Sequence, residues 1–151
     1  MPQSLAQIYL HVVFSTKDRR PFLQDLAIRD EMHRYLGGVC NRLGCPNLQV
    51  GGAADHVHIL CKLGRTISVA DLVQELKRES SKWVKTKSNA LADFHWQNGY
   101  GAFSLSPAHV EAVQQYIETQ EEHHRTVTFQ DEFRKLLAKY HLEWDERYVW
   151  D

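Results

Sequence analysis

Long apolar runs are missing from this chain: nothing approaches the ~20 consecutive apolar residues that span a bilayer. The opening Met1-Pro2-Gln3-Ser4-Leu5-Ala6-Gln7 also lacks the basic start and apolar stretch of a secretion signal, so a cytoplasmic protein with no membrane partner is expected. Cysteine is scarce. Cys40, Cys45 and Cys61 are an odd set without a Cys-x-x-Cys pair, which fits neither a disulfide framework nor a four-cysteine zinc site and reads as reduced intracellular thiols. There is no glycine-rich phosphate loop of the Walker type, hence no expected nucleotide cofactor. Net charge is nearly absent too: 18 Lys and Arg against 19 Asp and Glu give −1, so any hold on a phosphate backbone must come from local clusters. Neither an internal repeat nor a low-complexity linker interrupts the 151 residues. They read as one domain, 1–151, with a core over about 5–125 and a helical tail over about 126–151.

What is present is well patterned. Over 5–14, Ala6, Ile8, Leu10, Val12 and Phe14 alternate, predicting a first strand with His11 on its other face. Asp25 can cap a helix whose apolar positions Ile28, Met32, Tyr35, Leu36, Val39 and Leu43 follow helical spacing up to Gly44. Residues 47–50 and 56–63 read as strands joined through Gly51-Gly52. Ser68 opens a second helix with Val69, Leu72, Val73, Leu76 and Trp83 along one stripe. Residues 88–99 read as a loop and a fourth strand follows within 97–106. Ser106-Pro107 then has the form of an N-cap and first helical position for a helix over 107–124. This order predicts an α+β fold, a ferredoxin-like sandwich in which an antiparallel sheet carries helices on one face. A C-terminal helical extension follows, with Phe129, Phe133, Leu136, Leu137 and Tyr140 as its stripe and an aromatic end at Trp144 and Trp150.

The stretch Asp55-His56-Val57-His58-Ile59-Leu60-Cys61 carries the sharpest chemical signal. Strand side chains alternate, so both imidazoles sit on one face, roughly 6.5–7 Å apart at the backbone, while Val57, Ile59 and Cys61 point into a core. Two rings at that spacing can share one metal ion with bonds of about 2.0–2.1 Å. In a ferredoxin-like order the first and third strands are neighbours, which brings His11 to the same open face as a spare ligand, a DNA contact or a plain polar residue. Cations cluster twice: Lys17, Arg19 and Arg20 after the first strand, and Lys77, Arg78, Lys82, Lys85 and Lys87 along the second helix, with Glu79 the one acid among these five. Each cluster is either a solvated face or a DNA-binding contact to phosphate. The acidity lies in the tail, where residues 118–151 hold nine Asp and Glu against five Lys and Arg.

On the helix over 107–124, about 100° per residue puts Tyr116 and Gln120 within roughly 40° of each other, on the flank of the Val110, Val113 and Ile117 stripe. His109 and His123 fall on nearly the same face and are candidates for a general base. A phenol with its ordinary pKa of about 10 is a poor nucleophile and needs a metal or cation beside it or its target. Two histidines and one amide oxygen leave a divalent ion with open positions for a phosphodiester oxygen. Tyr116 can then attack while a 3′-hydroxyl leaves.

Taken together, Gly51-Gly52-Ala53-Ala54-Asp55, His56-Val57-His58, Gln97-Asn98-Gly99-Tyr100-Gly101-Ala102-Phe103-Ser104 and Tyr116-Ile117-Glu118-Thr119-Gln120 resemble the HUH single-tyrosine transposases. The resemblance runs from the first strand to about residue 125. It implies a ferredoxin-like homodimer with His56 and His58 as metal-binding histidines, Gln120 as third metal ligand, Tyr116 as nucleophile, and Mg²⁺ or Mn²⁺ as the ion. It also implies a DNA transposase that recognises hairpins in single-stranded DNA, cuts through a 5′-phosphotyrosine link and transfers the strand, for a mobile element or for its host. The alternative is a non-catalytic ferredoxin-like module binding single-stranded nucleic acid, in which the histidines and Tyr116 contact bases. A hydrolase of small phosphoesters would also use a histidine pair, but leaves Tyr116 without a role.

Overall fold

The structure is a computed structural model that describes residues 2–151. Its elements are β1 (Tyr9–Ser15), α1 (Leu26–Arg42), β2 (Asn47–Gly52), β3 (His56–Lys62), α2 (Val69–Lys85), β4 (Gly101–Leu105), α3 (Val110–Glu118), α4 (Gln120–His123) and α5 (Phe129–Lys139). The strands form one sheet in the order β2-β3-β1-β4 with every neighbouring pair antiparallel, the α+β arrangement that the element pattern predicts. Local chemistry sets the helix starts. Asp25 accepts from the backbone N–H of Ala27 and Ile28 ahead of α1, and Ser68 accepts from that of Asp71 ahead of α2.

Alternation along the strands divides the interior in two. Leu10, Val12 and Phe14 of β1 join Val57, Ile59 and Cys61 of β3 in a large cluster with Met32, Leu36 and Val39 of α1 and Leu72, Val73 and Leu76 of α2. Cys40, Cys45 and Cys61 are buried free thiols. Val13 and Phe103, on the other face, pack against Phe129, Phe133 and Leu137 of α5. Gly101 makes room for that helix, since a Cβ there would stand 2.6 Å from the Phe133 ring. The sheet face expected to be open is therefore covered by α3 and by the tail, so the acidic extension is part of the packing around the histidines.

Two boundaries differ from expectation. β1 starts at Tyr9 rather than at residue 5, because Tyr9 already pairs with Lys62, the last residue of β3, and with Leu105, the last of β4. Ile8, just before it, keeps one bond beyond the end of the ladder, accepting from the Leu63 backbone N–H at 2.7 Å. The helix expected over 107–124 is divided into a 3₁₀ turn (Pro107–His109), α3 and α4. The break falls at Thr119, whose hydroxyl donates to the carbonyls of Gln115 and Tyr116. Such back-bonding competes with the helix ladder. No helix among the described residues is long and apolar enough to cross a membrane.

Candidate active site

Register decides which side chains meet. β1 sets Ser15 opposite His56 and Val13 opposite His58, and β2 sets Gly51 opposite His58. Directly opposed residues share a face, so His11, His56 and His58 look the same way, all three buried. Gly51 then controls what lies over them. A Cβ at that position would stand 2.5 Å from the Ile117 carbonyl oxygen and 2.7 Å from its Cγ2; the bare backbone lets α3 lie against β2. Tyr116 and Gln120, either side of Ile117, come down over the histidines as a result. Gly51→Ala is expected to cost about 1–3 kcal/mol through overpacking and to push α3, with Tyr116 and Gln120, away from the histidines. Thermal unfolding of the variant checks the cost.

Glu132 of α5 joins the whole constellation. Its Oε1 accepts from Nε2 of His58 at 3.0 Å and from Nε2 of His124 at 3.0 Å, and lies 3.5 Å from Nε2 of His56. Its Oε2 accepts from the Tyr116 hydroxyl and, at 2.8 Å, from the Gln120 amide nitrogen. The Gln120 oxygen in turn lies 2.9 Å from Nε2 of His56. Behind the ring of donors, Nδ1 of His56 meets the Asp55 carboxylate at 2.8 Å, Nδ1 of His58 shares a hydrogen with Nε2 of His11 at 2.8 Å, and Nδ1 of His124 donates to the Val127 carbonyl at 2.6 Å. The segment bearing His124 is held to α1 by an Arg29–Glu121 ion pair.

The electrostatics follow from burial and from that carboxylate. Burial alone would raise the Glu132 carboxyl, but hydrogen bonds from His124 and His58 and the nearby imidazoles outweigh it and hold the acid far below the usual range. Burial lowers His58 to about 4 against the pull of Glu132, and lowers His11 to about 3 with help from His58. For His124, burial acts downward but the hydrogen bond to Glu132 and its charge prevail, so the shift is upward. Burial and then the Glu132 charge push the Tyr116 phenol up, keeping its proton on. Three imidazoles and one carboxylate, from His56, His58, His124 and Glu132, present ligand atoms within 4.8 Å of one another and could bind a metal ion. Their donors suit one, being imidazole nitrogen and carboxylate oxygen.

A cleft of about 350 Å³ opens onto this network, lined by His11, Tyr116, His123, Glu132, Lys135 and Lys139 among others. The two lysines, both exposed, bring positive charge to the side of the tyrosine. A larger cleft of about 470 Å³ lies between α2 and the segment 95–100, with Arg78 and Tyr100 on its walls. There the Lys77 ammonium is committed to the carbonyls of Gln97, Asn98 and Gly99 at 2.8, 3.1 and 2.7 Å, and burial lowers its pKa to about 8. Arg78 pairs with Glu75 and Glu79, and Arg19 donates to the Trp150 carbonyl at 2.7 Å. Lys82 and Arg20 are exposed and Lys17 half-exposed. Of the candidate bases, His123 lies 3.6 Å from Glu132 and its ring 5.6 Å from that of Tyr116, whereas His109 is exposed and bonded to Ser106. His124 and Glu132 were not singled out by sequence reasoning. A signal existed: Glu132 interrupts the apolar stripe Phe129, Phe133, Leu136, which a surface acid has no reason to do.

Comparison with known proteins decides the family. The family described as "Transposase IS200 like" matches residues 4–120. The chain belongs to that family. This transposase also shares its fold with a candidate transposase from Deinococcus radiodurans R1, at 22% identity and a TM-score of 0.61 over 80% of this chain and 96% of that one. A REP-associated tyrosine transposase bound to a REP hairpin aligns at 14% identity and a TM-score of 0.59, over 84% of this chain and 74% of that one. No curated protein matches it by sequence. The family match ends at Gln120, so His124 and Glu132 come from the part of this transposase that follows it.

Proposed function

We propose that this transposase cuts and rejoins single-stranded DNA at hairpin-flanked sites, with Tyr116 as nucleophile and a divalent ion, Mg²⁺ or Mn²⁺, at His56 and His58. One observation carries the reading: the Tyr116 hydroxyl and Nε2 of His58 meet the two oxygens of the same buried carboxylate, so nucleophile and metal-ligand pair share one small volume. The Tyr116 oxygen attacks the scissile phosphorus, the bond from phosphorus to the 3′-oxygen breaks, and the strand downstream stays on the enzyme as a 5′-phosphotyrosine. The phenol proton is already directed at Glu132 Oε2, and the departing 3′-oxygen takes up a proton as the free hydroxyl. A divalent ion, when bound, supplies positive charge to the scissile phosphate. The diester bond energy is kept in the phosphotyrosine, so a 3′-hydroxyl can reverse the step on a new strand without a nucleotide cofactor.

The cleft beside Tyr116 favours a phosphate there, since Lys135 and Lys139 line it with the nucleophile. Exposed Arg20 and Lys82 and half-exposed Lys17 are offered as backbone contacts further out, with Arg19, Lys77 and Arg78 held mainly by protein partners. Hairpin recognition is supported by the hairpin-bound relative. A homodimer, implied by the resemblance, would bring two such sites to two cut positions, with each Tyr116 over its own chain's histidines. The test is to incubate the protein and Mn²⁺ with single-stranded hairpins from the DNA flanking its gene. Two fragments and rejoined strands of new length are expected. Tight binding without cutting would favour the non-catalytic module instead.

A further inference from the structure

We propose that the ion is held by four side chains of one protein chain, His56, His58, His124 and Glu132, so that half of the ligand set lies beyond the family-matched residues and the site prefers Mn²⁺ to Mg²⁺. This rests on the reading of His56 and His58 as metal ligands. Adjacent ligand atoms of an octahedral divalent ion with bonds of about 2.1 Å lie roughly 3.0 Å apart, and four protein ligands leave two positions for phosphate oxygens. The three edges that meet at Glu132 Oε1 measure 3.0 Å to His58, 3.0 Å to His124 and 3.5 Å to His56. Oε1 therefore stands close to ligand spacing from all three imidazoles, and the four donor atoms lie within 4.8 Å of one another.

The surroundings of the rings point the same way. A metal-bound imidazole almost always engages its other nitrogen with a carboxylate, carbonyl or similar partner, which fixes the ring and its tautomer. All three rings do so, through Asp55, His11 and the Val127 carbonyl; Nε2 of His58 and His124 bonds to Glu132, while Nε2 of His56 meets the Gln120 oxygen at 2.9 Å and stands 3.5 Å from Glu132. Gln120 bridges the set: its amide nitrogen donates to Glu132 Oε2 and its oxygen lies 2.9 Å from Nε2 of His56, so it positions the carboxylate while its oxygen stays beside one imidazole. Glu132 thereby links the two halves of the chemistry, one oxygen toward the imidazoles and the other on Tyr116. Three imidazole nitrogens disfavour Mg²⁺, a hard ion that takes oxygen ligands and dehydrates reluctantly, more than they disfavour the transition ion Mn²⁺.

Titration of the full chain with Mn²⁺, followed by loss of the free-ion electron paramagnetic resonance signal, tests the assignment without reference to activity. One site per chain is expected, with Mg²⁺ competing at least ~10-fold more weakly. Glu132→Gln and His124→Ala are each expected to weaken Mn²⁺ binding at least ~10-fold. His124 lies outside the sheet, just after the short α4, so its variant is a second readout should the Glu132 variant fold poorly. Wild-type Mn²⁺ affinity in both variants, with binding lost in His56→Gln/His58→Gln, would overturn the four-ligand set and leave the proposed function standing. Wild-type affinity in the double histidine variant as well would overturn both.

Discussion

Tyr116→Phe is expected to abolish the covalent protein–DNA adduct and to slow strand cutting by at least ~10³-fold, the scale on which enzymes respond to loss of a nucleophile, while hairpin affinity stays within about threefold. The ring is expected to hold its place, because its packing survives the change: it meets His11 and His58 edge-on at centroid distances of 6.3 and 5.7 Å, and His123 at 5.6 Å. What is lost is one hydroxyl and its hydrogen bond to Glu132. That carboxylate keeps His58, His124 and Gln120 as donors, so the stability cost is set at about 1–3 kcal/mol, the range for a hydrogen bond to a charged group. Thermal unfolding and a filter-binding isotherm on the variant separate these effects from the chemistry. Residual adduct in Tyr116→Phe would transfer the nucleophile role to another side chain.

A loss of comparable size is expected from His56→Ala/His58→Ala, in divalent-ion binding as well as in strand cutting. Both rings are buried, and removing His58 takes a hydrogen-bond donor from a buried carboxylate that burial alone would neutralise. Stripping partners from such a charge costs about 3–5 kcal/mol, so the Ala variant is expected to melt well below wild type. His56→Gln/His58→Gln keeps volume and hydrogen-bonding capacity but not the imidazole nitrogens. It is expected to recover much of the melting temperature and none of the ion binding. A Gln variant that still binds Mn²⁺ as wild type does would remove the histidine pair from the site.

The parts of this molecule that follow local rules were legible in its sequence. Period-two alternation put His56 and His58 on one face, and the capping residues Asp25 and Ser68 start α1 and α2 as expected. Helical spacing brought Tyr116 and Gln120 to the same side even though the helix is broken at Thr119 between them, and both donate to Glu132 Oε2. What local rules do not carry is register and long-range packing. That His11 touches His58 depends on how β1 slides along β3. That Gly51 admits α3 depends on an approach between residues 66 apart. Lys77 reads as a free cation on a helix face, and only the return of the chain at 97–99 supplies the three carbonyls that bind it. Glu132 looked like one acid in an acidic tail. Its partners come from the packing of α5 on the histidine face of the sheet, where an uncompensated carboxylate would not persist.

The most direct test of the central claim is to map where the DNA is joined. Wild-type protein is incubated with Mn²⁺ and a hairpin strand labelled at its 3′ end, run under denaturing conditions, digested, and the labelled peptide sequenced by mass. The label should travel with the protein and reside on the peptide containing Tyr116, linked through a 5′-phosphate. Label on a different residue, or cut strand with only free 5′-phosphate ends and no protein attached at any time point, would contradict tyrosine-mediated strand transfer.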